Sequence, residues 1–113
     1  MKALVVDPDP VAARFCRGTL EQAGFAVRSV ESGVLALVAA REMVPDIILL
    51  ATQLRDVPGG EVAAWLKADP LLRDRPVVML GPDCAPAAYR GAFLRKPLSA
   101  AAITRAVEEA VKS

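Results

Sequence analysis

The chain has 113 residues, enough to bury a hydrophobic core without metals or disulfides. Fourteen Lys and Arg against thirteen Asp and Glu leave a formal charge of +1, interleaved rather than gathered into a basic stripe, so nucleic acid and anionic membranes lose their main attraction. There is no histidine, which excludes His-based triads, most zinc sites and any phosphohistidine acceptor.

Hydrophobic residues make up 54% of the chain, yet no run approaches the ~18 apolar residues of a membrane span. The opening stretch, Met1 to Asp7, is too short an apolar run for a signal peptide, so a cytoplasmic location is expected. Cys16 and Cys84 form no CxxC pair and read as packing residues. With no linker, repeat or low-complexity segment, residues 1–113 read as one domain.

Residues 3–7 read as a short buried strand. Asp9 suits an N-cap with Pro10 at the first helical position. The helix that follows runs to about Ala23, with Ala12, Cys16 and Leu20 on its core face and Phe15 alongside, and Gly24 ends it. Residues 25–30 alternate loosely, as an outer strand does. A second helix covers roughly 33–43 and Pro45 stops it. Residues 46–51 form the third strand, whose four consecutive aliphatics, Ile47 to Leu50, indicate burial on both faces.

A loop with Pro58-Gly59-Gly60 leads into a third helix over about 60–68, ended by Asp69-Pro70. Residues 76–80 form the fourth strand, closed by Gly81-Pro82, and 92–95 a short fifth. The last helix starts at Ser99 as N-cap and runs to Lys112, with Ile103, Val107 and Val111 on its core face. Alternating strands and helices imply an α/β fold of parallel strands joined by right-handed crossovers. In such sheets chemistry sits beyond the carboxyl ends of the strands. Those ends carry Asp7, Ala51, Gly81 and Lys96.

Several segments together resemble the receiver domain of bacterial response regulators, over essentially the whole chain. They are Leu4-Val5-Val6-Asp7-Pro8-Asp9-Pro10, Pro45 to Leu50, Gly59-Gly60-Glu61-Val62, Pro76 to Leu80, and Gly91-Ala92-Phe93-Leu94-Arg95-Lys96-Pro97-Leu98. The resemblance implies a flavodoxin-like three-layer sandwich, with a five-stranded parallel sheet in the order 2-1-3-4-5. It also implies phosphoryl transfer from a kinase histidine to an aspartate after the third strand. In that family a pair of acids after the first strand holds Mg²⁺. A hydroxyl residue after the fourth strand and an aromatic in the fifth report the phosphoryl state, and a lysine after the fifth contacts the phosphoryl group.

Carried over, most of this machinery is missing. Ala51 stands at the acceptor position, and a methyl group accepts no proton, metal or phosphoryl group. Asp7 matches the first acid and Pro8 replaces the second, while Asp9 belongs to its helix N-terminus. Gly81 replaces the switch hydroxyl, Phe93 keeps the aromatic position and Lys96 is retained, with a Lys96-Pro97 peptide of the kind the family often holds cis. Asp7 and Lys96 sum to zero charge, leaving nothing to recruit Mg²⁺, which prefers oxygen ligands. Lys96 is expected to turn to Asp7 or to backbone carbonyls. No cofactor is implied.

The reading is therefore a pseudo-receiver that is not an enzyme and acts by phosphorylation-independent contact with a protein partner or with itself. Two rivals stand beside it: phosphorylation at a non-standard residue (Asp7, Asp9, Thr52 or Asp56), and a small-ligand sensor in the same crevice. The latter lacks a Gly-rich phosphate loop, a metal cluster and a nucleophile–base pair.

Two departures from the resemblance bear on partners. Lys96 follows Gly81 by fifteen positions, about two helical turns fewer than the family uses, and Pro86 interrupts the interval. The helix between the fourth and fifth strands is therefore expected to be shortened or replaced by a loop, and the family's usual output face with it. On the second helix, if Ala36, Leu37, Ala40 and Val44 face the sheet, then Leu35 and Val38, flanked by Val34 and Ala39, face outward. Trp65 in the third helix either folds over the vacated space or anchors a partner together with Leu35 and Val38.

Overall fold

A computed structural model describes residues 1–112. It contains, in chain order, β1 (Lys2–Val6), α1 (Pro10–Gln22), β2 (Ala26–Val30), α2 (Gly33–Met43), β3 (Ile47–Ala51), α3 (Gly59–Ala68), β4 (Val77–Gly81), β5 (Ala92–Arg95) and α4 (Ala100–Lys112). The strands form one parallel sheet in the order β2-β1-β3-β4-β5. This is the flavodoxin-like arrangement that the sequence implies, with four helices instead of five.

Side chains alternate between the faces of a strand, and here the alternation builds two cores. Leu4, Val6, Ile48, Leu50 and Met79 point to one face and meet Ala36, Ala39 and Ala40 of α2 and Val62, Ala63 and Leu66 of α3. Ala3, Val5, Ile47, Leu49, Val78 and Leu80 point to the other and meet Cys16 and Leu20 of α1 and Ile103 and Val107 of α4. All five residues of β3 are buried, as befits the central strand. The sheet ends are therefore held rigidly in three layers.

Helix boundaries follow local chemistry. The Asp9 carboxylate accepts from the Val11 N–H, with Pro10 opening α1, and the Ser32 hydroxyl accepts from Leu35 N–H at the start of α2. Ser99 Oγ accepts from Ala102 N–H at the start of α4. Gly24 follows α1 with φ +95°, a region that favours glycine. At the end of α2 the left-handed residue is Val44, with φ +43°, because Pro45 then forces the chain out of the helix.

Three packing expectations are corrected. Phe15 lies exposed rather than beside the core, because it stands on the solvent flank of α1. Ala13, not Ala12, packs against the α1-side core. Ala39 is buried, since α2 presents a stripe of small residues, Ala36, Ala39 and Ala40, that lets it lie close on the sheet.

Between Gly81 and Ala92 the chain makes only a loop with one turn. Tyr89 from this loop packs against the α2–α3 core and its hydroxyl lies 2.8 Å from the Val77 carbonyl and 2.7 Å from that of Ala92. Its proton can serve either oxygen, so the phenol staples β4 to β5 where a crossover helix would otherwise lie. Burial pushes its pKa up to about 12. Trp65 is 40% exposed and does not line the space beside this loop.

Candidate functional site at the strand ends

The carboxyl ends of β1, β3, β4 and β5 deliver Asp7, Ala51, Gly81 and Lys96 to one crevice. Asp7 is only 2% exposed. Its backbone N–H donates to the Val30 carbonyl, which fixes it to the end of β2. One carboxylate oxygen, Oδ1, accepts from Asp9 N–H at 2.9 Å. The other, Oδ2, lies 2.8 Å from Lys96 Nζ. That contact is an ion pair without hydrogen-bond alignment, because Oδ2 has no aligned donor among the described residues.

Lys96 is itself held in place. Its backbone N–H donates to the Gly81 carbonyl at 2.7 Å, and the Lys96-Pro97 peptide is cis. β1 and β5 are separated in the sheet by β3 and β4. The lysine side chain thus reaches across the ends of two strands, which present only the Ala51 methyl and the Gly81 hydrogen.

Pro8, half-buried beside Asp7, adds no oxygen ligand, and Asp9 is engaged in capping α1. No group of three or more His, Cys, Asp or Glu side chains stands together to hold a metal ion among the described residues. A single carboxylate, already met by an ammonium and an amide, does not fit a magnesium ion, which demands several oxygens in octahedral array.

The space beside Gly81 is already occupied. A Cβ built on Gly81 would come within 2.5 Å of Thr52 Oγ1 and 3.4 Å of Phe93 Cε1. The Thr52 hydroxyl, from the residue after β3, thus fills the space beside β4, and Thr52 N–H donates to the Leu80 carbonyl. Phe93 is half-buried and packs into the core shared with α2 and α3.

Beneath the crevice, burial raises the thiol pKa of Cys16 from 9.0 to about 11; the Asp7 charge adds to this rise and Lys96 opposes it. The loop after β3 is pinned by Asp56. Its Oδ1 accepts from Gly33 N–H and Val57 N–H, and its Oδ2 from Val34 N–H. These bonds, the Gly33 N–H above all, hold its carboxyl below the ordinary value of 3.8. Sequence reading missed this cap because Asp56 and Gly33 lie 23 positions apart.

Leu35, Val38 and Trp65 remain 51, 50 and 40% exposed, with Val34 beside them. Arg41, one turn beyond Val38, pairs with Asp69, one turn beyond Trp65. The ion pair ties α2 to α3.

A family model for the response regulator receiver domain matches residues 3–108. The polar-differentiation response regulator DivK of Brucella ovis is 39% identical over 75 residues, 66% of this chain and 61% of that protein. DivK of Brucella anthropi is 37% identical over the same span. The matched stretch thus covers about three fifths of the curated relatives' length. A putative response regulator from Chloroflexus aurantiacus superposes with a TM-score of 0.92 at 24% identity, covering 99% of this chain and 98% of that one. The receiver domain of a sensor histidine kinase from Pseudomonas aeruginosa, solved with a magnesium ion coordinated in its active-site cleft, does so at 0.91 and 23% identity, with the same coverage. At these identities the structural matches establish the fold. No helix among the described residues is long and apolar enough to cross a membrane.

Proposed function

Because this chain belongs to the response regulator receiver domain family, we propose that it is a module of bacterial two-component signalling that binds protein partners without being phosphorylated. The observation that carries this reading is Ala51. It closes the central strand with a methyl group at the place where phosphoryl chemistry needs a carboxylate. The Asp7–Lys96 ion pair supports it, since the crevice is electrically balanced and has no surplus of negative charge to draw a cation. The module needs no Mg²⁺ or other cofactor, has no enzymatic activity of its own, works in the cytoplasm and forms one domain over residues 1–113.

The substitute acceptors are poorly placed. Asp7 is buried against Lys96, and the carboxylates of Asp9 and Asp56 cap helices. Thr52 turns its hydroxyl toward Gly81 rather than outward. The proposed contact surface for a signalling partner is the patch of Leu35, Val38 and Trp65, where an aromatic anchor stands among aliphatics. Nucleic acid and membranes are not partners on this reading.

Incubation with acetyl phosphate and Mg²⁺ followed by intact-mass measurement tests it. An unchanged mass is expected; a stable gain of one phosphoryl group would refute the reading.

A further inference from the structure

The missing crossover helix leaves a groove of about 910 Å³. A parallel β–β crossover ordinarily takes a dozen or more residues, usually as a helix. Here ten residues, Pro82 to Gly91, join β4 to β5 and contain no helix. A helix about 10 Å across that rises 5.4 Å per turn fills roughly 420 Å³ per turn, so the groove matches about two turns.

Its walls suit a helix. On one side α3 presents Gly60, Ala63, Ala64 and Lys67, mostly small residues that allow close approach. The floor is apolar, with Val77, Tyr89 and Ala92 over the buried Leu66 and Leu72. Trp65 is not part of the lining, so this surface is distinct from the Leu35–Val38–Trp65 patch.

The charges are polarised along the groove. Glu61, in the first turn of α3, stands at the crevice end. Lys67, Arg73, Arg75 and Arg90 gather at the opposite end, with the acids Asp74 and Glu109. Lys67, Arg73 and Arg90 make no ion pair among the described residues. Arg75 reaches Asp46 only at 3.9 Å, and its Nε is buried without a hydrogen-bond partner among those residues. A helix lying antiparallel to the strands, as α1, α2 and α3 do, would put the negative end of its dipole on this cationic end.

We propose that the groove receives an amphipathic helix of a partner protein, apolar on one face and acidic in its last turn, in place of the missing crossover helix. The inference rests on the reading of the chain as a partner-binding module, but it uses a separate surface.

The test uses two stapled helical peptides with the same Leu/Ala face, one ending in Glu-Glu and one in Lys-Lys, titrated onto the full chain by fluorescence anisotropy and amide NMR shifts. The Glu-Glu peptide is expected to bind and to shift Ala64, Tyr89 and Ala92. Ala64→Trp, at an exposed position, fills the groove and should abolish binding. Arg73→Glu with Arg90→Glu should weaken it about tenfold or more and favour the Lys-Lys peptide. Circular dichroism confirms that both variants remain folded. Failure of the Glu-Glu peptide to bind, or binding that survives Ala64→Trp, overturns the proposal. So does binding that Leu35→Asp removes while Ala64→Trp does not, an outcome that leaves the partner-binding reading standing on the other patch.

Discussion

Lys96 Nζ meets Asp7 Oδ2 at 2.8 Å across the ends of two intervening strands. The contact engages Asp7, the buried carboxylate of the crevice among the described residues, with the ammonium of Lys96. A buried charge left without its partner is expensive, whereas an apolar replacement of the pair is often nearly neutral. Lys96→Met should therefore cost about 3 kcal/mol. The double variant Asp7→Asn/Lys96→Met should recover a measurable part of that loss. Urea midpoints of the two single variants and the double give the coupling; additive losses would show that the two groups do not support each other.

The same balance predicts what restores a cation site. Pro8→Asp with Ala51→Asp places three carboxylates around Lys96, changing the local charge from zero to −2. Oxygen ligands with surplus negative charge are what Mg²⁺ needs. Isothermal titration should show Mg²⁺ binding to the double variant and none to the parent chain. Equal heats from both would mean that the crevice of the parent already accommodates the ion.

Asp56 predicts an acid-limb effect. Its pKa is lowered in the folded chain, first by the Gly33 N–H and then by that of Val34. A depressed carboxyl pKa means that the unfolded chain binds the proton more readily. The stabilisation is thus present above the unfolded value of 3.8 and is lost as pH falls through the lower folded value. Asp56→Ala should lower the thermal midpoint at neutral pH and flatten its fall below pH 4, as calorimetry across pH would show. An unchanged acid limb would mean that Asp56 does not hold the loop to α2.

Most element ends were legible because the signals are local, while the sheet order came from the family resemblance. Ile47 to Leu50 are a run short enough for a strand buried on both faces, Asp9 and Ser99 carry cap chemistry, and Pro86 within a short interval disfavours a full helix. That Ala51 would close this strand was legible for the same reason. Contacts across sequence distance were not. That Asp56 caps α2 depends on how the loop after β3 folds back. That Tyr89 staples β4 to β5 depends on the tilt of a loop with no periodicity. The errors at Phe15, Ala12 and Ala39 arose where an apolar stripe is wider than the face that packs, so the period alone could not centre it.

Thr52 and Gly81 form a pair whose order of substitution matters. The space beside β4 that a residue-81 side chain needs is occupied by Thr52 Oγ1 at 2.5 Å and Cγ2 at 3.1 Å. Threonine has few rotamers, and Thr52 is fixed by its N–H bond to Leu80. Gly81→Ser, which reinstates a hydroxyl at the end of β4, should therefore destabilise the chain by about 1–3 kcal/mol through overpacking. Thr52→Ala opens the space, so Gly81→Ser/Thr52→Ala should be more stable than Gly81→Ser alone. Thermal midpoints of the three variants check this. If Thr52→Ala leaves the Gly81→Ser loss unchanged, the two side chains do not compete for one site, and Thr52 is not what fills the space beside Gly81.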